Sequence, residues 1–263
     1  MLAPLAGGQG RSWRAGLVVL KPKSGDGPEA IEWLSGFVAA MNPGGAFRVA
    51  APVPSSAGEW TVDGWQASNW LEGSHLPGAW DRVLEVSAHF HRAATVACST
   101  KPGVLDGHDD PWSTGDRIAW GEREPDPTWP ASVLGALDRL RPLLDSGSRP
   151  DVHAQVIHGD LGGNVVFADD AGLAPAVIDV SPFWRPAPYA DAIVVADAVA
   201  WDGAPLTLAI RFLAHEPDGT GDELLARAIA FRLATAAVHW PALPARVDAE
   251  VDAYAPLLPL LRS

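Results

Sequence analysis

Apolar positions recur along this chain at two periods, and the change from one to the other outlines its organisation. Val18-Val19-Leu20 with Leu17 makes a β run that ends at Lys21 and Pro22, and residues 28–41, PEAIEWLSGFVAAM, follow with helical spacing. Ile31, Trp33, Leu34, Phe37, Val38 and Met41 supply the apolar positions of that helix, with Pro28 in its first turn. Runs at 47–53, 59–62 and 64–70 read as three further strands, with an Asp-Gly turn between the last two. Beyond residue 77 the pattern is mostly helical: 77–98, 129–144, 189–201, 205–215, 222–240 and 245–261 all carry apolar residues at helical intervals. Residues 100–130 are rich in Pro, Gly, Asp and Trp, lack sustained periodicity, and read as a long loop. The pattern predicts a small antiparallel sheet with one helix in residues 1–70 and a larger, mainly helical part in 71–263.

One stretch departs from the helical pattern and carries the chemistry. In 155–183, QVIHGDLGGNVVFADDAGLAPAVIDVSPF, short β runs at Val156-Ile157 and Val165-Val166-Phe167 flank a turn holding His158, Gly159, Asp160 and Asn164. A third run, Ala176-Val177-Ile178, ends at Asp179. Phosphoryl transfer requires a carboxylate to orient the attacking hydroxyl and oxygen ligands to hold Mg²⁺ against nucleotide phosphates. Asp160, Asn164 and Asp179 offer those groups in order. Each alone is equally a turn former or strand-end cap; the three together, each at a β edge, favour the chemical reading.

HGDLGGN followed by IDVSP resembles the catalytic segment of the aminoglycoside phosphotransferases and the related choline and sugar kinases, relatives of the protein kinases. The resemblance implies an α+β, two-lobed protein-kinase-like fold, with a nucleotide-binding lobe at 1–70 and a catalytic and substrate-binding lobe at 71–263. It implies Asp160 as catalytic base, Asn164 and Asp179 as metal ligands, His158 as loop support, and ATP and Mg²⁺ as cofactors. Gly7-Gly8-Gln9-Gly10 before the Lys21 strand is similar to the kinase glycine-rich turn, so Gly8 and Gly10 are candidate phosphate contacts and Lys21 the phosphate-gripping lysine. The helix at 28–41 would supply a glutamate to hold Lys21, Glu32 first and Glu29 second. Asn69, Trp70 and Leu71 would form the hinge facing the adenine edge, with Trp70 equally suited to ordinary packing. Two departures stand out. Asn164 follows Asp160 by four residues, one fewer than the kinase pattern, so the turn must close more tightly, which Gly162 and Gly163 would allow. The glycine turn also lies only six residues from Met1, leaving almost no strand before it.

Composition narrows the partners. The 263 residues are 48% hydrophobic, enough for a sizeable core, and 32 acidic against 19 basic residues give a net charge of −13. That charge disfavours nucleic acid and anionic membranes. It suits a cationic small molecule as hydroxyl acceptor, or serves as a solvated surface. In the 100–130 loop, Asp109, Asp110, Trp112, Asp116 and Trp120 either line a substrate cleft or pack the loop, and Asp191, Asp197 and Asp202 sit on the expected substrate side or cap helices. Cys98 is the sole cysteine, which excludes an internal disulfide and fits a cytoplasmic, soluble protein without a leader or spanning segment. His89 and His91 point to different faces of one helix and read as surface or capping residues. A Ser-His-Asp hydrolase would need a GxSxG elbow, and none is present. The function expected is transfer of the γ-phosphoryl group of ATP to a small-molecule hydroxyl; its rival is a pseudokinase that binds without turnover.

Overall fold

The computed structural model describes residues 2–5, 11–23, 27–145, 153–169, 172–216 and 219–262. Their contacts form two compact units: Met1–Leu76 with Glu85–His108 and Gln155–Trp184, and Pro77–Leu84 with Asp109–Ala154 and Arg185–Ser263.

The strands, in chain order, are β1 (Leu2–Pro4), β2 (Trp13–Ala15), β3 (Val18–Pro22), β4 (Arg48–Val49), β5 (Trp65–Asn69), β6 (Ala154–His158), β7 (Val165–Val166), β8 (Ala176–Val177) and β9 (Pro182–Pro186). In the first unit β1-β2-β3-β5 make an antiparallel sheet, with Lys21 opposite Gln66. The few residues before the glycine turn do form a strand: Leu2, Ala3 and Pro4 pair with Ala15, Arg14 and Trp13. Gly8 and Gly10 lie outside the described residues. Asp63 and Gly64, both at positive φ, turn the chain so that Val62 and Trp65 exchange backbone hydrogen bonds, as expected of an Asp-Gly hairpin.

Two expected strands are corrected. Within 47–53 only β4 is a strand, and it joins a different sheet, β4-β8-β7, running parallel to β8. Pro52 and Pro54 lack the N–H a longer ladder requires. Residues 59–62 form no strand because Ser55 Oγ accepts the N–H groups of Ala57 and Glu59 and closes a local turn instead.

Helix α1 (Pro28–Ala40) begins with proline at its first position, where no N–H is missed, and buries Ile31, Phe37 and Val38. α2 (Trp80–Ala97) buries Val83, Val86, Ser87, Phe90, His91 and Ala94; His91 is therefore a core residue, contrary to its expected surface or capping role. Phe90 packs against Phe47 and edge-on to His158.

In the second unit the expected loop at 100–130 contains a helix, α3 (Pro111–Ala119). Asp110 caps it by accepting from the N–H groups of Trp112 and Ser113, and Pro111 follows at the first helical position. α4 (Ala131–Leu144), α5 (Ala187–Trp201), α6 (Leu206–His215), α7 (Thr220–His239) and α8 (Pro244–Tyr254) match the helical pattern of the sequence. α7 is buried on nearly every side. Its Arg227 pairs with Glu223 and donates to the carbonyls of Ala119 and Leu144, meeting acceptors at the C-terminal ends of α3 and α4 that the helices themselves leave open. No helix among the described residues is long and apolar enough to cross a membrane.

Candidate active site

Asp160, Asn164, Asp179 and Lys21 all lie in the first unit, and backbone register explains their proximity. β7 pairs antiparallel with β8, Val165 opposite Val177, so Asn164 falls opposite Ile178, and the Ile178 N–H donates to the Asn164 carbonyl at 2.9 Å. Asp179 is the next residue. It adopts φ 50°, a left-handed conformation uncommon for residues with a Cβ but one that Asp enters more readily than most.

The Asp160 turn is closed by the Asn164 N–H donating to the Leu161 carbonyl at 2.9 Å. The Asn164 side chain tightens it further, Nδ2 donating to the Asp160 carbonyl at 2.6 Å and to Asp160 Oδ2 at 3.1 Å. Two acceptors on one side fix the amide's orientation and leave Oδ1 to face elsewhere as an oxygen donor. Neither Gly162 nor Gly163 is among the residues at positive φ, so the four-residue spacing is closed by these hydrogen bonds rather than by glycine's conformational range. A Cβ at Gly163 would meet nothing within 4 Å; Gly163→Ala should change stability by less than about 0.5 kcal/mol, as measured by thermal unfolding. Gly159 differs, since a Cβ there would collide with the Phe183 ring.

Lys21 Nζ lies 2.5 Å from Asp179 Oδ2, with side chains 32% and 52% exposed. The expected lysine partner Glu32 is exposed on α1, as is Glu29. Ile31, Phe37 and Val38 set the buried face of that helix, and Glu32, about 100° round from Ile31 at 3.6 residues per turn, projects away from it. Lys21 is thus held by Asp179. Partial exposure makes this pair worth about 1 kcal/mol at most, weak enough to be exchanged for stronger partners.

At the expected hinge the Asn69 and Trp70 N–H groups donate to the carbonyls of Ala51 and Leu17, and the Glu72 carbonyl accepts from Arg48. Of the three hinge residues, Leu71 is left to offer its N–H. The Trp70 ring carries Arg14 stacked 4.2 Å from its centroid, a packing role.

His158 is buried and supports the turn, its Nδ1 accepting the Asp160 N–H at 3.1 Å. Sequence reasoning missed His91, whose Nε2 accepts the His158 N–H at 3.3 Å while its Nδ1 meets Ser87 Oγ at 3.1 Å. The i, i+4 spacing of Ser87 and His91 beside buried Phe90 was the available signal. Burial, followed by the neighbouring His158, lowers the His91 pKa from 6.5 to about 3, with a bond to the Ser87 backbone opposing. The folded value lies below the unfolded one, so protonation favours the unfolded chain. This group costs nothing above pH 6.5, and its contribution falls as pH drops from 6.5 toward 3 by about 1.4 kcal/mol per pH unit. Urea unfolding at stepped pH should show that slope, and His91→Gln should flatten it.

Two of the other acidic candidates, Asp116 and Asp197, are held by arginines. Asp116 is buried with Arg185, which donates to both its oxygens and to Glu122; burial works against the Arg185 charge, but its bonds to Glu122 and Asp116 prevail and push its pKa up. Arg185 and Arg227 both stack over Trp120, at 4.9 and 4.5 Å from its ring centroid. Trp112 packs against His239. Asp197 is bound by Arg232 and the Tyr254 hydroxyl. Asp109 remains exposed at a cavity of about 700 Å³ that Trp129 and Glu124 also line.

Asn164 and Asp179 are oxygen donors suited to a hard divalent cation. No cluster of three or more His, Cys, Asp or Glu side chains with metal-binding geometry occurs among the described residues. A site with few protein ligands fits Mg²⁺, which keeps waters and takes substrate phosphates into its shell.

No protein-family model matches the chain, and no curated protein matches it. Solved structures do. The apo form of a thermostable mutant of aminoglycoside phosphotransferase APH(4)-Ia is 19% identical, with 98% of this chain and 94% of that one covered at a TM-score of 0.61. A microcompartment-associated aminopropanol kinase is 17% identical, covering 98% and 90% at 0.65. The gentamicin complex of APH(2")-IIa is 13% identical, covering 97% and 92% at 0.58. The small antiparallel sheet, the helical remainder and these similarities together give the chain the α+β kinase-like fold found in aminoglycoside phosphotransferases.

Proposed function

We propose that this protein is an ATP- and Mg²⁺-dependent phosphotransferase that moves the γ-phosphoryl group to a hydroxyl of a small molecule. The observation that carries the proposal is the arrangement at the β7–β8 hairpin. Asn164 is pinned through its amide nitrogen to Asp160 and sits across the ladder from Ile178, immediately before Asp179. In this reading Asp160 orients the acceptor hydroxyl and takes its proton. Asn164 Oδ1 and the Asp179 carboxylate hold the metal, and Lys21 turns from Asp179 to the α and β phosphates. Bound Mg²⁺ would neutralise charge on the phosphates during transfer. Leu71 offers a backbone donor to the base, and Gly8 and Gly10 belong to the phosphate turn. Residues 1–70 act as the nucleotide lobe and 71–263 as the catalytic and substrate lobe, and the protein works in the cytoplasm, where ATP is available.

The acceptor class is an amine-bearing alcohol. One structural neighbour was solved with ADP and hygromycin B, another with gentamicin, and a third is an aminopropanol kinase; a net charge of −13 suits a cationic acceptor. A second reading, a pseudokinase that binds nucleotide without turnover, is favoured by the exposed Glu32 and the four-residue Asp160–Asn164 spacing. Incubation with ATP and Mg²⁺ over a panel of aminoglycosides, amino sugars and short amino alcohols separates the two. A metal-dependent phosphate monoester, seen by mass spectrometry, supports the transferase; nucleotide binding with no product from any acceptor supports the pseudokinase.

A further inference from the structure

We infer that His91, on α2, is a positioning residue for the Asp160 turn and acts through the backbone of His158. The inference rests on the phosphotransferase reading for its kinetic consequence and on geometry for the rest. His158 is the last residue of β6, where the chain leaves the strand for the catalytic turn. Its N–H is met there by His91 Nε2. An accepting Nε2 carries no proton, so Nδ1 carries it and donates to Ser87 Oγ.

From His158 the constraint passes in two directions. Nδ1 of His158 accepts the Asp160 N–H, which requires its Nε2 to bear the proton and face the Ile178 carbonyl at 3.4 Å. The Ile178 N–H in turn donates to the Asn164 carbonyl. One imidazole therefore touches both turns of the site, and the position of its backbone is set by a second imidazole.

His91 is itself well held. It is 4% exposed, and its carbonyl accepts from Thr95 Oγ1 at 2.9 Å and from Gln155 Nε2 at 2.8 Å. Gln155 lies three residues before His158 on β6, so α2 grips that strand at two points, once by the His91 carbonyl and once by its ring. Phe90 packs edge-on to both imidazoles and restricts their rotation. A side chain of similar size without an acceptor would remove this bond from the buried His158 N–H.

The test compares the wild type with His91→Leu, which lacks the acceptor, and His91→Gln, whose amide oxygen can restore it. Hydrogen exchange of the His158 and Asp160 amides should quicken about tenfold in the leucine variant and return toward wild type in the glutamine variant; unchanged exchange in His91→Leu overturns the inference. Should the leucine variant fail to fold, ¹⁵N spectra of the wild-type imidazole decide: a proton on Nδ1 of His91 supports the assignment, and a proton on Nε2 overturns it. With an accepted acceptor, His91→Leu should lower kcat by about 10²-fold with KM for MgATP little changed, and His91→Gln should recover most of it. A raised KM at unchanged kcat overturns the positioning role. A wild type that transfers no phosphate refutes the phosphotransferase reading alone, and the exchange comparison still decides the role of His91.

Discussion

Asp160→Asn should abolish most phosphoryl transfer while leaving the fold and nucleotide binding in place. Asparagine preserves the shape of the side chain and an oxygen that can accept from Asn164 Nδ2, replacing the Asp160 Oδ2 contact at 3.1 Å, and the backbone bond from that nitrogen to the residue-160 carbonyl does not depend on the carboxylate at all. What is lost is the negative charge that, on the phosphotransferase reading, orients the acceptor hydroxyl and takes its proton. General base removal of this kind lowers rates by about 10²- to 10⁴-fold. Initial rates of product formation at saturating MgATP measure the effect, and a variant that turns over at the wild-type rate would remove Asp160 from the role assigned to it.

Gly115→Ala should produce the largest loss of stability of any single methyl addition considered. Gly115 sits on α3 where that helix meets α7, and a Cβ there would collide with Thr235 Oγ1 and stand 2.7 Å from the Phe231 carbonyl oxygen and 3.0 Å from the Thr235 nitrogen. The last two are backbone atoms of a helix buried on nearly all sides, so neither can step aside as a flexible side chain would. The helices must separate, and the loss of packing should be about 3 kcal/mol. Urea unfolding reads it directly; an unchanged midpoint would contradict the close approach of α3 and α7.

These two residues differ in how plainly the sequence announces them. The proximity of Asp160, Asn164 and Asp179 is legible because short apolar runs with Asp, Asn and Gly between them mark the paired strands that bring these residues together. Gly115 is invisible in a chain with abundant glycine, since its role is set by a helix far along the sequence. The same distance hides β4, whose partner β8 follows more than a hundred residues later, and it led 47–53 to be assigned to the nearby sheet.

Other differences between pattern and structure have local causes. α1 carries its apolar residues at 31, 37 and 38, and that phase alone turns Glu32 outward, leaving Asp179 as the partner of Lys21. The Asp110-Pro111 pair is a helix-start signal that the surrounding Pro, Gly and Trp obscured. His91 lies on the face of α2 that buries Val83, Val86, Ser87, Phe90 and Ala94, which places it in the core beside Phe90.

On the phosphotransferase reading the β7–β8 hairpin and Lys21 form a metal-dependent nucleotide site, and calorimetry decides this by titrating ATP into the purified protein with Mg²⁺, with chelator in its place, and with Asp179→Ala as control. Binding that requires Mg²⁺ and disappears in Asp179→Ala is the predicted result. Absence of binding to the wild type, or equal binding in all three conditions, would contradict it.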